Sequence, residues 1–318
     1  MKKLIVHWTA FVLIFLFAFG TVQNPWTSRY IHDLKQDPVV SVDQNNPLYE
    51  KIVQAAEKYN EPAIDAKIDP VWKAVPGYNG IKVDVAASYK KMMKDGQRFA
   101  NDRLVFRQVE PDVHLNDLKP APIYKGNPNK PMVSLMVNVA WGNEYIPKML
   151  KVLKQEHVRA TFFLDGSWVK KNPDLAKMIA EAGNEIGNHA YSHPDMKALS
   201  AEAARRQIVK TNEVIRSTLE MKPKLFAPPS GSYNKQTVKV VDSLGMKTIM
   251  WTVDTVDWKN PNPDAMVMRV LQNIGSGSLV LMHPTKASAE GLAAMIHGIR
   301  ERGYQIGTVS ALLDEDRL

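Results

Sequence analysis

The sequence predicts an α/β fold, a parallel sheet covered by helices, and three observations lead there. From residue 132 onward, short apolar runs of strand length alternate with longer stretches at helical spacing, the repeat that builds a parallel sheet with helices outside. The 318 residues are 45% hydrophobic, enough for one large core and a smaller attachment. There is no cysteine, so disulfides and thiolate sites are excluded and a metal could be held only by His, Asp, Glu or Asn.

Taken in order, the chain begins with Lys2 and Lys3 ahead of an uncharged apolar run over residues 4–20, with small residues Ala18 and Gly20 near its end. That is the pattern of a charged n-region and an h-region. At about 1.5 Å per helical residue the run is also nearly long enough to span a bilayer uncleaved. Residues 1–22 are therefore expected to be either a signal peptide or a membrane anchor. Both lead to export, and the two lysines suit the cytoplasmic flank. The net charge of +8 suits an exported protein beside an anionic polymer such as a cell wall, or beside an anionic membrane face. Lys and Arg are dispersed rather than clustered with aromatics, so no nucleic-acid partner is expected.

Residues 23–44 are polar and read as a tether. Residues 45–118 are expected to be a small α+β region. Leu48, Ile52, Ala55, Ala56 and Tyr59 have helical spacing over 47–59. Pro76-Gly77 and Asn79-Gly80 read as the turn signals of a hairpin, 86–93 as a helix and 104–109 as a strand. The pattern from Val75 to Asp84 resembles small wall-associated, peptidoglycan-binding modules; the other reading is an extension packed on the larger domain. Pro120, Pro122, Pro128 and Pro131 exclude regular structure over 119–131, the expected linker to a domain at 132–318.

In that domain strands are expected at 132–139, 160–164, 225–227, 246–251, 278–281 and 305–309. Helices are expected at 144–155, 174–182, 200–219, 235–244, 263–274 and 289–302. Ser200 is placed to cap the long helix, with Glu202 in its first turn.

The string Gly183-Asn184-Glu185-Ile186-Gly187-Asn188-His189-Ala190-Tyr191-Ser192-His193 follows the helix at 174–182. Gly183 reads as that helix's C-cap, and Gly187 as room for a sharp turn before the first His. Two His at i and i+4 can meet on one side of a helical turn and offer two nitrogens to one metal ion. The string resembles the second motif of the NodB-type polysaccharide deacetylases (carbohydrate esterase family 4), usually Gly-His-Glu-Ile-Gly-Asn-His with a further His beyond. Ala160-Thr161-Phe162-Phe163-Leu164-Asp165-Gly166, Asp254-Thr255-Val256-Asp257-Trp258 and Leu279-Val280-Leu281-Met282-His283 resemble other motifs of that family, in its order. The resemblance runs from about residue 130 to the C-terminus. It implies a distorted (β/α) barrel with site residues at the C-terminal strand ends, and metal-dependent hydrolysis of an N-acetyl group on a cell-wall glycan.

The resemblance also implies roles. His189 and His193 would hold Zn²⁺ or a similar divalent ion. His283 would be the general acid, oriented by Asp257, and Tyr191 and Trp258 would be sugar-stacking faces. Two motifs depart from the family. Where motif one carries a base Asp and a ligand Asp, this chain reads Met136-Val137-Asn138-Val139-Ala140-Trp141-Gly142, similar to the Phe-Asp-Ile-Ser-Trp-Gly variant of some spore-forming bacteria but with Asn for its Asp. Asn138 cannot take a proton as a carboxylate does, and Val139 cannot ligate. Motif three reads Ala227-Pro228-Pro229-Ser230-Gly231, with Ala227 for the arginine that holds the base. The two losses fit together, since that arginine without its carboxylate would be a stranded charge.

Two readings follow. One is a deacetylase with altered residues at its centre, for which Glu144 is the nearest carboxylate in sequence to Asn138. The other is a pseudoenzyme that keeps the groove for glycan binding or scaffolding. Restored chemistry would need Asp at both 138 and 139. His7, His114, His157 and His297 are given no role.

Overall fold

A computed structural model of the chain describes Trp8 and residues 42–317. Apart from Trp8, the expected leader at 1–22 lies outside the described residues, as does the tether up to residue 41. Among the described residues no helix is long and apolar enough to cross a membrane.

The described chain groups into two compact units, one drawn from Met1–Asn60 and Val83–Arg107, the other from Glu61–Lys82 and Gln108–Leu318. In the first, helices α1 (Pro47–Tyr59) and α2 (Val85–Lys94) enclose a core of Leu48, Ile52, Ala55, Ala56, Tyr89, Met92 and Leu104. Both helices start on a side-chain cap. Asn46 Oδ1 accepts from the Leu48 N–H at 2.9 Å, and Asp84 Oδ1 from the Ala87 N–H at 2.9 Å.

The second unit contains the hairpin of strands β1 (Lys67–Asp69) and β2 (Lys73–Val75). It turns at 70–72, not at 76–80 as expected. Asp69 Oδ1 accepts from the N–H groups of Val71 at 2.8 Å and Trp72 at 2.9 Å and so fixes the turn there. The Pro76-Gly77 and Asn79-Gly80 stretch instead runs extended against residues 61–64, through the bridges Ile64↔Tyr78 and Glu61↔Ile81. Strands β3 (Gly80–Val83) and β4 (Phe106–Val109) form a second two-stranded sheet.

The main sheet is wholly parallel. Its strands are β5 (Met132–Val139), β6 (Thr161–Leu164), β7 (Glu185–Asn188), β8 (Leu225–Phe226), β9 (Lys247–Thr248), β10 (Val253–Asp254), β11 (Leu279–Met282) and β12 (Gln305–Gly307). The order is β10-β11-β5-β6-β7-β8-β9, and β12 pairs with the start of β5. The sheet is the curled half-barrel that the strand-helix alternation and the motifs led us to expect.

Every residue of β5 is buried, because both faces of the strand are covered. Val133, Leu135, Val137 and Val139 face an outer core. That core is shared with α3 (Ile146–Gln155), through Ile146, Met149, Leu150 and Leu153, and with α9 (Lys286–Glu301), through Leu292, Met295, Ile296 and Ile299. Met132 and Met136 face an inner core with Phe163, Leu225, Leu279 and Leu281. The period of two therefore assigns Asn138 to the inside of the curl and Val139 to the outside.

Between them stand α4 (Gly166–Lys171), α5 (Pro173–Glu181), α6 (Ala201–Leu219), α7 (Lys235–Ser243) and α8 (Pro263–Asn273), with α10 (Val309–Leu313) last. Neither α4 nor α10 was expected, since each is too short to show a helical period. The expected strand at 246–251 is only Lys247–Thr248, and α9 begins at Lys286 because Thr285 caps it through the Ser288 N–H.

The two ends of the sheet, β9 and β10, do not pair with each other. Residues 123–126 lie at the opening. The Ile123 N–H donates to the Thr248 carbonyl at 2.9 Å, the Met250 N–H to the Ile123 carbonyl at 2.7 Å, and the Gly126 N–H to the Gly277 carbonyl at 2.8 Å. Ile123 is wholly buried in the inner core. The proline-rich stretch carries no strand, as its composition requires, yet it hydrogen-bonds the barrel at its open seam.

Candidate functional site

The C-terminal strand ends open into a cavity of about 410 Å³ lined by Asn138, Ala140, Trp141, His189, His193, Ser230, Trp251, Asp254, Trp258, Leu281 and His283. The expected residues Asn138, His189, His193, Trp258 and His283 thus meet around one space.

His189 follows the last residue of β7, where its N–H donates to the Leu164 carbonyl at 3.0 Å. Its Nδ1 lies 2.7 Å from the Ala227 carbonyl, which can only accept, so Nδ1 carries the hydrogen and Nε2 keeps a lone pair. Burial first, then the neighbouring His193, pushes its pKa down to about 3, so the imidazole is neutral at ordinary pH. The His189 and His193 rings meet edge-on at 5.2 Å. No helical turn brings them together, contrary to expectation. The chain from 189 to 193 is irregular, and Ala190 (φ 61°) and His193 (φ 51°) are left-handed.

Gly187 also differs from its expected part. It lies inside β7, and a Cβ there would come within 2.3 Å of Phe163 Cδ1, so the missing side chain admits a ring rather than a turn.

His283 is held from behind. Its Nδ1 is 2.8 Å from Asp257 Oδ1, while Asp257 Oδ2 accepts from the His283 N–H at 2.6 Å and from Ser288 Oγ at 2.5 Å. Asp257 is wholly buried and does not reach the cavity. The indole of Trp141 stacks on the His283 ring at 5.9 Å and 10°. Gly142 makes that possible. Its φ is +81°, and a Cβ would stand 1.9 Å from the Pro284 carbonyl oxygen, so only glycine lets the turn pass so close.

Asn138 is 3% exposed, and its Oδ1 is buried without a hydrogen bond among the described residues. Val139 lies on the other face, fully buried among the outer aliphatics. Ala227 is buried and contributes its carbonyl to His189.

One expectation needs correction. Tyr191 does not line the cavity. Its ring packs beside Gly166, Lys210 Nζ lies 3.6 Å from its centroid, and its carbonyl accepts from the Ser167 N–H at 2.8 Å. Aromatic lining comes instead from Trp141, Trp251 and Trp258. Glu144 is exposed and lines no part of the cavity; the carboxylate that does is Asp254, three residues before Asp257. Both Trp141 and Asp254 stood within strings already singled out, but no local pattern said which side chains turn inward.

His189 and His193 offer a divalent ion two imidazole nitrogens at the cavity. Among the described residues no group of three or more His, Cys, Asp or Glu could hold a metal ion. Two neutral imidazoles beside an amide fall short of the three protein ligands of a hydrolytic zinc site. The set does not fit a tightly held catalytic metal.

The curled parallel sheet thus carries His189, His193 and His283, with Asp257 behind it, at its C-terminal strand ends. The polysaccharide deacetylase family model matches residues 125–249. A peptidoglycan-N-acetylglucosamine deacetylase of Bacillus cereus is 34% identical over 199 residues, 61% of this chain and 72% of that protein. The chain belongs to the polysaccharide deacetylase family. The uncharacterized protein YlxY of Bacillus subtilis is 49% identical over 318 residues, all of this chain and 99% of that one. The crystal structure of wild-type BA3943, described as a CE4 family pseudoenzyme from Bacillus anthracis, matches with 51% identity and a TM-score of 0.80, covering 86% of this chain and 97% of that one. A mutant of BA3943 with restored enzymatic activity matches equally well, with a TM-score of 0.80 and 50% identity over 86% of this chain and all of that one.

Proposed function

We propose that the protein binds N-acetylated cell-wall glycan in this cavity and has lost nearly all deacetylase activity. One observation carries the reading: Asn138, buried and uncharged, lines the cavity at the strand end where the motif resemblance puts the family's base. An amide cannot accept a proton from water. His283, held by Asp257, would still be oriented to protonate a leaving amine, and Trp141 and Trp258 would offer sugar-stacking faces. Half of an acid–base pair does not turn over. The likeness to the BA3943 pseudoenzyme supports this, and the likeness to peptidoglycan deacetylases supports the choice of glycan. The same reading puts the chain outside the cytoplasmic membrane, led or held there by residues 1–22.

General-base catalysis is typically worth about 10²–10⁴-fold. Acetate release from N-acetylated chitooligosaccharide or peptidoglycan should therefore lie near background. Turnover that disappears on chelation and in His283→Ala would make this a working deacetylase and overturn the proposal.

Among the residues lining the cavity, His189 and His193 are the neighbouring pair of imidazole donors open to a divalent cation. Calorimetry with Zn²⁺ should give micromolar affinity at best, abolished in His189→Ala and in His193→Ala, because one neutral ligand cannot hold the ion. Unchanged binding in either variant would assign the ion elsewhere.

A further inference from the structure

Asp254 is the carboxylate of the cavity lining, and the chemistry above gives it no task. In the strand order β10-β11-β5-β6-β7 it stands four strands from His189, so the two flank the cavity from different walls. One of its oxygens is committed. Oδ1 accepts from the Val256 N–H at 2.8 Å, closing a tight turn. Oδ2 has no hydrogen-bond partner among the described residues, and the residue is half-buried at the cavity wall.

The turn that poses it is strained. Val256 has φ 53° and ψ 32°, a left-handed conformation that a β-branched residue seldom adopts. Strain of this kind persists where the surrounding structure enforces it, often at ligand sites. Here the strained residue joins two posed carboxylates. Asp254 turns to the cavity, and Asp257 stands behind His283.

The neighbours of Asp254 suggest what its free oxygen meets. Trp258, four residues on, is 56% exposed with Lys259 Nζ 5.0 Å from its ring centroid, and Trp141, stacked on His283, is 46% exposed, so two indoles still present apolar surface at the same cavity. An acceptor-only carboxylate beside exposed indoles suits a ligand with an apolar ring face and hydroxyl donors at its edge, which describes a pyranose.

We propose that Asp254 accepts hydrogen bonds from sugar hydroxyls and, with Trp258 and Trp141, forms a hexosamine-binding subsite that works without the proton chemistry of position 138. The inference rests on the glycan-binding reading above and adds the residue that holds the sugar. It also gives the barrel a reason to keep its cavity after the base is gone.

The test is calorimetric titration of the full chain with tetra-N-acetylchitotetraose, beside Asp254→Asn. Asparagine keeps an oxygen for the Val256 N–H but replaces the free acceptor with a donor, so the turn survives while the charged hydrogen bond is lost. We expect at least tenfold weaker binding in Asp254→Asn, with a melting temperature within a few degrees of the parent. Trp258→Ala should weaken binding independently. If the parent binds and Asp254→Asn binds within twofold of it, the subsite assignment is overturned while the glycan-binding reading stands. If the parent shows no saturable binding, that reading itself fails.

Discussion

A chain cut to begin at Met132 should fail to fold cooperatively, although every strand of the main sheet would be present. The reason lies in residues 123–130. Ile123 is wholly buried in the inner core with Ile249, Leu279 and Leu281, and it hydrogen-bonds both Thr248 and Met250. The Lys130 ammonium is buried too, and donates to the carbonyls of Ala311 at 2.8 Å and Asp314 at 2.7 Å. Removing a buried aliphatic side chain costs about 2–5 kcal/mol. Losing the Lys130 hydrogen bonds adds about 1 kcal/mol or more for each carbonyl. Unpaired backbone at the open seam is a further cost and a route to aggregation. Set against a typical total of about 5–15 kcal/mol, these losses decide the outcome. Thermal unfolding followed by circular dichroism should show no sharp transition for 132–318, and a clear one for a chain beginning at residue 42. A cooperative melt of the shorter chain within a few degrees of the longer would show that the seam residues are dispensable.

Asp at position 139 should unfold the protein, whereas Asp at 138 should be tolerated. Restored chemistry was expected from the sequence to need both, and the structure separates them. Val139 is fully buried in the outer core with Val137, Leu164 and the aliphatics of α3. An unpaired charge there, or the protonated acid that replaces it, costs several kcal/mol. At about 2–4 °C per kcal/mol for a domain of this size, Val139→Asp should melt at least ten degrees lower or not fold. Asn138→Asp puts the carboxylate on the cavity wall with His189 and His193, where imidazoles can answer it. Its melting temperature should stay within a few degrees of the parent. A well-folded Val139→Asp would mean that residue 139 reaches solvent, contrary to its place in the outer core. Any gain in acetate release should come from Asn138→Asp, and a second carboxylate would have to stand at a residue that lines the cavity, such as Ala140.

Much of this was legible in the sequence because it is local. Strand-helix alternation follows from apolar period, and the observed helices over 47–59 and 263–273 agree with it closely. The histidine pair, the His283–Asp257 pair and the amide at position 138 are all legible, since motifs are short strings in a fixed order. The parity of β5 is legible too. Met132, Ser134, Met136 and Asn138 alternate with four aliphatics of the outer core, which sets Asn138 and Val139 on opposite faces.

What the chain alone determined is the family, the order of elements and the absence of a carboxylate at position 138, because each of these is written in neighbouring residues. Which side chains share the cavity was decided only by the tertiary structure. Tyr191 and Trp141 are equally aromatic, but one lies under Lys210 while the other is carried over His283 by the turn at Gly142. Glu144 is near Asn138 in sequence and outside the cavity, whereas Asp254 is 116 residues away and inside it. Curling a sheet brings together the ends of strands far apart in the chain, and only the closed packing of both faces determines which side chains point inward.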